Sequence, residues 1–340
     1  MYNWEDYIDI AEQFIKDKNY KNKDFEMYKF SGDKVVSYCD KRGKTLIDLD
    51  SFDVQDLLIN GLGIKNIGTF NAYVTIYTNF YDWLIKRGII DVNPIDGMGL
   101  TTKIFTEQLA HDINYFSTDD INDMGRVLKN KTDNGEFYEL LIRLFYEGVV
   151  ANVGELYDLR KSQYKNGFVL KGERLKQISN RLKYLIETIP DRRVFVRNRI
   201  DGRIRFYGMR YPYDDAMFAV PERTSIKKDD IPPKILTDNA DRPATIKLLE
   251  RQTKLACEYG LDYTYRGFTS DLYKCGFIEF CIAKCGTEET INMFLSNDRS
   301  DKMAQLVSYA KEYCLVVPLQ AIRFRHKPYI LALQRICEDK

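Results

Sequence analysis

The stretch from Phe137 to Tyr164 is the feature that most constrains how this chain of 340 residues can fold. It reads FYELLIRLFYEGVVANVGELYDLRKSQY, two apolar runs separated by Gly148 and followed by a basic, aromatic exit. Apolar residues recur at helical spacing on both sides of the glycine: Leu140, Leu141, Leu144, Phe145, Val153, Leu156 and Leu159. Each run is therefore predicted to form a helix that buries one face, and the pair to form a hairpin in an α-rich core.

The same stretch resembles the heart of the catalytic domain of tyrosine recombinases, the phage integrase family. In that family an apolar helix leads into a signature that this chain matches at Tyr146, Gly148, Glu155, Leu156 and Leu159. The first catalytic arginine of the family lies three residues before the glutamate, and this chain has Asn152 there. An asparagine carries no positive charge and forms no bidentate fork with a phosphate. The resemblance thus implies the recombinase fold with an altered active site.

The length allows two domains, and no run of eighteen apolar residues is present, so no membrane span is expected. The N-terminus lacks the order of a signal peptide, and the seven cysteines are an odd number. We therefore expect reduced thiols in the cytoplasm of a bacterial host. Cys281 and Cys285 are four residues apart and Cys275 is near, but no second ligand pair accompanies them. Neither a metal nor another cofactor is expected.

The first domain carries the strongest motif. A helix that begins near Gly68 or Thr69 and ends at Gly88 is followed by an Asn-Pro turn. On pattern alone this region is a small helical bundle. It also resembles the end of the DNA core-binding domain of phage integrases, which it matches at Phe80, Tyr81, Trp83, Leu84, Gly88, Asn93 and Pro94. The resemblance implies that the start of the helix faces DNA, with Lys65, Asn66, Thr69 and Asn71 as contacts.

The expected domains are 1–105, helical and DNA-binding, and 112–340, a degenerate catalytic-like domain. Residues 97 to about 114 show little pattern and are expected to contain the linker. A helix is predicted to begin after Ser117, because acids occupy its first turn.

A β-hairpin is predicted after the helical hairpin, with turns at Asn166-Gly167 and Lys171-Gly172. In the recombinase family a lysine on a turn of this small sheet assists catalysis. Lys171 is the nearest match and Lys176 the second choice, and both could equally be plain phosphate contacts.

The segment from Arg192 to Arg210 contains seven arginines in a chain whose net charge is only +1. Its alternation and an Asp201-Gly202 turn predict a second hairpin. The arginines on this ribbon are candidates for contact with a DNA backbone or groove: Arg197, Arg199, Arg203 and Arg205. A solvated face or a half-buried sheet edge remains an equal alternative, and Pro212 to Pro243 is predicted to be rich in loops.

The last region matches a second family box in outline, at Arg266, Phe268, Leu272 and Gly276, with Tyr263 at the histidine position. The later histidine of the family falls on Asn297, and the nucleophile on Tyr309 or Tyr313. A second register, through Cys285–Thr287, fits the spacing better but supplies no tyrosine. Neither register provides the histidine, so the general acid and base of the family are missing.

The expectation is a mainly α chain with a small β-sheet, in the two-domain arrangement of the tyrosine recombinases. The resemblance implies sequence-specific binding of double-stranded DNA without cleavage, as in a phage repressor that controls lysogeny. One alternative is a divergent but active recombinase, and another is a protein-interaction module. The C-terminal helix, with Tyr329, Ile330, Leu333 and Ile336, is either an interface for a homo-oligomer or part of the core.

Overall fold

The computed structural model of the protein forms two compact units, Met1–Ile113 (unit 1) and Asn114–Lys340 (unit 2). The structure describes residues 3–64, 67–96, 102–189, 194–198, 204–217, 219–226, 235–236, 242–261, 268–295, 301–315 and 321–339. Within them, no helix is both long and apolar enough to cross a membrane. The expected mainly helical chain with small β-sheets is confirmed.

Unit 1 is helical throughout its described residues. Its helices are α1 (Trp4–Asp17), α2 (Lys23–Ser31), α3 (Asp33–Asp40), α4 (Ser51–Asp56), α5 (Ile67–Lys86) and α6 (Thr102–Asp112). A 3₁₀ turn covers Leu46–Asp48, and a π-helical turn, Leu57–Gly61, continues α4. The core is aromatic, with the Phe80 ring 5.2 Å from that of Phe14 and 4.9 Å from that of Phe30.

The predicted end of α5 is confirmed by its contacts. Gly88 has φ +68°, a conformation that glycine adopts without strain, and the chain turns there. The Asn93 side chain donates to Asp82 Oδ1 at 2.8 Å and accepts from Ile95 N at 2.9 Å, which fixes the Asn-Pro turn against the helix. Asp50 is the N-cap of α4, since its side chain accepts from Asp53 N at 2.9 Å.

Residues 97 to about 114 were expected to show little pattern and to contain the linker. The boundary between the units falls in this segment, after Ile113, but residues 102–112 form α6. Phe105 on α6 is 2% exposed, and its ring stacks on that of Phe70 at 4.1 Å. Helix α6 therefore belongs to unit 1, which extends to Ile113 and not only to residue 105. Only a few buried residues hold this helix, so its apolar residues show a weak helical period. The sequence pattern therefore did not predict it.

A charged network in unit 1 makes its stability depend on pH. The Asp53 carboxylate accepts from Arg42 Nε at 2.8 Å and from Lys44 Nζ at 2.7 Å. Partial burial raises the pKa of Asp53, but these hydrogen bonds outweigh burial and hold the pKa below its ordinary value. A lowered folded-state pKa gives stability that is present above the unfolded pKa of about 4 and is lost as the pH falls through the folded pKa.

We therefore expect Asp53→Asn to reduce the loss of unit 1 stability on acidification from about pH 5 to about pH 2. Thermal unfolding at stepped pH measures this slope. Asp9→Asn, at an exposed position of α1, is the matched control and should keep the wild-type slope. Equal slopes for the wild type and both variants would show that the network does not contribute to the pH dependence of stability.

Unit 2 contains the remaining elements. Its helices are α7 (Thr118–Lys131), α8 (Gly135–Tyr146), α9 (Val153–Asp158), α10 (Asn180–Thr188), α11 (Arg242–Gly260), α12 (Phe268–Cys285), α13 (Thr287–Leu295), α14 (Asp301–Glu312) and α15 (Ile322–Glu338). Its strands are β1 (Tyr164–Lys165), β2 (Phe168–Lys171), β3 (Arg174–Gln177), β4 (Val194–Asn198), β5 (Ile204–Tyr211), β6 (Val220–Ile226) and β7 (Ile235–Leu236).

The predicted helical hairpin is confirmed as α8 and α9, with Gly148 at φ +71° between them. Each residue of α8 except Glu136 is buried, so this helix is the centre of unit 2. The predicted start of α7 is confirmed too, because Ser117 and Asp120 form a capping box. On α15, Tyr329, Ile330 and Leu333 are buried in the unit, whereas Ile336 is 39% exposed.

Two sheets flank this core, the first antiparallel and the second mixed. Strands β1, β2 and β3 form the first in that order, and the β2–β3 register pairs Leu170 with Leu175 and Lys171 with Arg174. In the second, β5 lies between β4 and β6 and also pairs with β7 in parallel.

The strand pairing of both predicted hairpins is thus confirmed, while the predicted Asp201-Gly202 turn lies outside the described residues. Within Pro212–Pro243, which was expected to be rich in loops, the structure describes the strands β6 and β7.

Candidate nucleic-acid interface

Asn152, at the position of the first family arginine, is the N-cap of α9. Its Oδ1 accepts from Glu155 N at 3.0 Å, and its Nδ2 donates to Glu155 Oε1 at 3.0 Å. The Ala151 amide also donates to Glu155, at Oε2 and 3.0 Å. Asparagine at the N-cap with glutamate three residues later satisfies the first amides of a helix, so this local structure follows from the sequence. Asn152 is exposed, and its amide is engaged with its own helix.

Lys171, on the last residue of β2, lies beside this cap. Its Nζ donates to Gly148 O at 3.1 Å and lies 3.6 Å from Glu155 Oε2. The ammonium also stands 5.4 Å from the centre of the Tyr273 ring. Burial lowers the pKa of Lys171, and the neighbouring Glu155 opposes that shift. The structure therefore brings Asn152 and Lys171 together, with a carboxylate that balances the lysine charge.

Tyr313, one candidate nucleophile, is 2% exposed. Its hydroxyl donates to Tyr146 O at 2.5 Å, and burial raises its pKa well above the ordinary value of a tyrosine. A phenol in this setting is a structural hydrogen-bond donor. Tyr309, the other candidate, is half-buried on α14, where its hydroxyl accepts from Gln305 Nε2 at 3.1 Å. Its ring lies edge-on to Phe280, with centroids 6.4 Å apart.

Lys176 does not present its ammonium to a phosphate on the surface, contrary to expectation. The residue is 4% exposed, and its Nζ donates to Tyr313 O at 2.8 Å while lying 3.7 Å from the centre of the Tyr313 ring. In the alternating pattern of β3, Lys176 points inward with Val169 of β2, its partner in the ladder. The alternation of side chains along β3 determines this inward orientation. It was not expected, because Lys176 is charged.

The arginine ribbon is formed by β4 and β5. Their register places Arg197 directly opposite Arg205, and Arg205 is exposed. Arg199 and Arg203 lie outside the described residues. The structure thus places the two described arginines of the set at neighbouring positions of one ladder.

The start of α5 carries the candidates of unit 1. Thr69 is exposed and Asn71 is half-buried, both within the first five residues of the helix. Lys65 and Asn66 lie outside the described residues. In unit 2 the same holds for Tyr263, Arg266 and Asn297, so the second family box is described only from α12 onward.

The matched residues of α12 have clear structural roles. Leu272 is fully buried, and Gly276 lies against the C-terminal end of α8, where an added Cβ would collide with Tyr146 O. Glu155 was expected as a motif residue, but its role as the counter-charge of Lys171 was not predicted. The spacing of Asn152 and Glu155 is a capping pattern and could have indicated it. Across the described part of the chain, no group of three or more His, Cys, Asp or Glu could hold a metal.

No protein-family model matches this chain, and no curated protein matches it. Six chains of solved structures do match. One is a lambda integrase dimer bound to a COC' core site, with 12% identity over 93% of this chain and 79% of the other, at a TM-score of 0.34. Another is a dimer of lambda integrase residues 75–356 on a COC' core site, with 11% identity over 92% of this chain and 97% of the other, at a TM-score of 0.34.

Proposed function

We propose that the protein binds specific double-stranded DNA sites without cleaving them and acts as a phage transcriptional repressor that controls lysogeny. The observation that carries this proposal is the cap at the start of α9. Asn152 stands where the family has an arginine, and the charge of Lys171 is balanced by Glu155 at 3.6 Å. Among the described residues, this cap therefore offers little unpaired positive charge to a phosphate.

The lack of cleavage follows from what the reaction needs. Attack by a tyrosine on a DNA phosphate builds negative charge, which preorganised arginines, lysines or histidines must stabilise. Removing one such donor typically lowers the rate by about two to three powers of ten. Asn152 supplies no charge, and the Tyr313 hydroxyl is occupied by Tyr146 O in the core. A divergent recombinase would need Tyr309 to leave its contacts with Gln305 and Phe280.

DNA binding is supported by three features. The resemblance to a core-binding domain ends in the Gly88 and Asn93 turns that the structure fixes against α5. The start of α5 carries short polar side chains, which suit phosphate contact. The register of β4 and β5 places Arg197 opposite Arg205, and two positive charges at facing positions of a ladder suit contact with an anionic DNA backbone.

The repressor role rests on resemblance. Recombinase-fold repressors exist in SPβ-like prophages, where one is the master repressor of lysogeny, and this chain is similar in size and in the loss of catalytic residues. A repressor has to bind its operator without cleaving it. The uncharged Asn152, at the position of the first catalytic arginine of the family, favours binding without cleavage. Assembly of two or more copies on DNA is part of this proposal.

The arginine ribbon gives a direct test. Replacing Arg197, Arg199, Arg203 and Arg205 by alanine should weaken binding to a selected DNA site and reduce its dependence on salt. Each lost phosphate contact lowers the slope of log affinity against log salt by about 0.9. Fluorescence anisotropy with labelled duplex at several salt concentrations measures both quantities.

A control of similar charge separates local contact from net charge. Arg126, Lys129 and Lys131 are exposed on α7, and their replacement by alanine removes three positive charges from unit 2. This variant should keep most of the affinity and the slope. If it weakens binding as much as the ribbon variant does, the ribbon is only a solvated face.

A further inference from the structure

A cavity of about 560 Å³ opens in unit 2, where α7, α8, β3, α12 and the end of α14 meet. This volume falls within the range of about 300–1,000 Å³ that is usual for small-molecule sites. The cavity lies wholly within one unit.

The walls of the cavity are largely aromatic and aliphatic. The rings of Phe280 and Tyr313 lie 5.4 Å apart and line it together. Phe168 and Leu175 also line it and are 40% and 68% exposed, so apolar side chains on the outer face of the β2–β3 hairpin continue the lining into solvent. Apolar walls with a few placed polar groups are typical of sites that bind organic ligands.

Two buried cations also line this cavity. Lys176 is 4% exposed and has one hydrogen-bond acceptor among the described residues, Tyr313 O, although an ammonium can donate three hydrogen bonds. The side chain of Arg143 is 6% exposed. Its NH2 donates to Ile121 O at 3.3 Å and to Asn122 Oδ1 at 3.2 Å, whereas its NH1 lies 3.7 Å from Glu147 Oε1. Lys176 and the NH1 group of Arg143 therefore keep donor capacity at the cavity wall.

The charges around them form one connected group. Arg143 and Arg181 bind the Glu139 carboxylate through their Nε atoms at 2.8 and 2.9 Å. Glu147 accepts from Ser179 N and Oγ, both at 2.7 Å, and lies near Arg143 and Lys176. Arg181 also lies 3.9 Å from Glu136, so the three cations face three carboxylates, but Lys176 forms no direct ion pair with a carboxylate of the described residues.

The other charges near Lys176 are already matched. Glu312 pairs with Lys284 at 2.5 Å, and Lys171 pairs with Glu155. Glu279, a further acid of the wall, accepts from Tyr115 Oη at 2.6 Å and from Thr118 N and Oγ1 at 3.1 and 2.8 Å. Burial lowers the pKa of Lys176 to about 8, as expected for a desolvated ammonium that has no carboxylate in direct contact among the described residues.

We infer that this cavity is a binding site for a small amphipathic anion, an aromatic or aliphatic carboxylate or sulfonate. Its anionic group binds Lys176 with the help of Arg143, and its apolar body lies against Phe280 and Tyr313. The anionic group accepts the hydrogen bonds that the buried Lys176 ammonium does not make within the described residues, and the apolar walls exclude a fully hydrated ion. This inference does not depend on DNA binding, so each can fail alone.

The test uses the full chain and two fluorescent probes with the same aromatic body. Anilinonaphthalene sulfonate carries a negative charge, and phenylnaphthylamine lacks it. We expect saturable binding of one sulfonate probe per chain, about tenfold or more tighter than binding of the neutral probe. Equal affinities, or no saturable binding, would overturn the inference.

Two variants, each with a matched control, locate the site. Lys176→Met, which keeps the aliphatic stem, should bring the affinities of the two probes together, whereas Lys284→Met at the rim should leave their ratio unchanged. Ala283→Trp narrows the cavity from an exposed helix position and should weaken both probes by about tenfold or more. Ala304→Trp, on exposed α14 surface, is its matched control.

Two results with Ala283→Trp would contradict the inference. If this variant bound both probes with wild-type affinity, the probes would bind outside this cavity and the inference would be overturned. A change in sedimentation of Ala283→Trp with unaltered probe binding would instead assign this cavity to contact between copies of the chain.

Discussion

Gly276→Ala is expected to lower the free energy of unfolding of unit 2 by about 3–5 kcal/mol, at the upper end for a single methyl group. Helix α12 crosses the end of α8 at this glycine. A Cβ there would lie far inside the van der Waals radius of Tyr146 O and 2.7 Å from the Tyr313 hydroxyl. Neither neighbour can yield easily, because Tyr146 O is backbone and Tyr313 is buried and hydrogen-bonded to it. The helices must therefore separate.

Chemical denaturation measures the change, and hydrogen exchange of α8 and α12 amides assigns it to unit 2. Gly154→Ala is the matched control within another helix, since the nearest atom to its added Cβ is a side-chain oxygen, Asn152 Oδ1, at 3.0 Å. It should stay within about 1 kcal/mol of wild type, because alanine has the better helix propensity. A loss for Gly276→Ala no larger than that of the control would contradict the close crossing.

Glu139→Gln should also destabilise unit 2, by about 3–5 kcal/mol, the usual result of breaking a buried ion pair from one side. Glu139 is 1% exposed on α8, and its carboxylate receives Arg143 Nε at 2.8 Å and Arg181 NH2 at 2.5 Å. Without the carboxylate, Arg143 remains in the core with less counter-charge. Glu136→Gln is the control, because Glu136 lies 3.9 Å from the same Arg181 but its side chain is 48% exposed. That variant should lose less than about 1 kcal/mol.

Two further measurements separate charge from shape at Glu139. Burial raises the pKa of Glu139, but the hydrogen bonds from Arg181 and Arg143 outweigh it and hold the pKa below its ordinary value. The stability it gives is therefore present above the unfolded pKa of about 4.3 and is lost as the pH falls through the folded pKa. Wild type and Glu139→Gln should converge in stability at acid pH. Adding Arg143→Met should recover part of the loss, since an apolar residue needs no counter-charge.

Local patterns predicted much of the fold. The helical hairpin around Gly148, the hairpin of β2 and β3, and the cap at Ser117 each follow from a few neighbouring residues whose chemistry is repeated in many proteins. Helix α6 and strands β6 and β7 were missed because partners distant in the sequence stabilise them. Phe105 packs on Phe70, and β7 pairs with β5.

The candidate site was predicted only in part for the same reason. Asn152 and Lys171 were named from the family signature, and the structure brings them together through Glu155. The burial of Lys176 depends on which face of β3 packs on Tyr313, more than a hundred residues away in the chain. The link between Glu139 and Arg181 spans two helices whose register no local pattern gives.

The central claim is binding of specific DNA without cleavage. Its most direct test is selection of bound genomic fragments from the source organism at near-physiological salt, followed by a search for nicked DNA or a covalent protein–DNA product. Discrete enriched sites with intact DNA are the predicted result. Enriched sites with a tyrosine-linked product, lost in Tyr309→Phe, would show an active recombinase and contradict the account, and the absence of enriched sites would contradict DNA recognition itself.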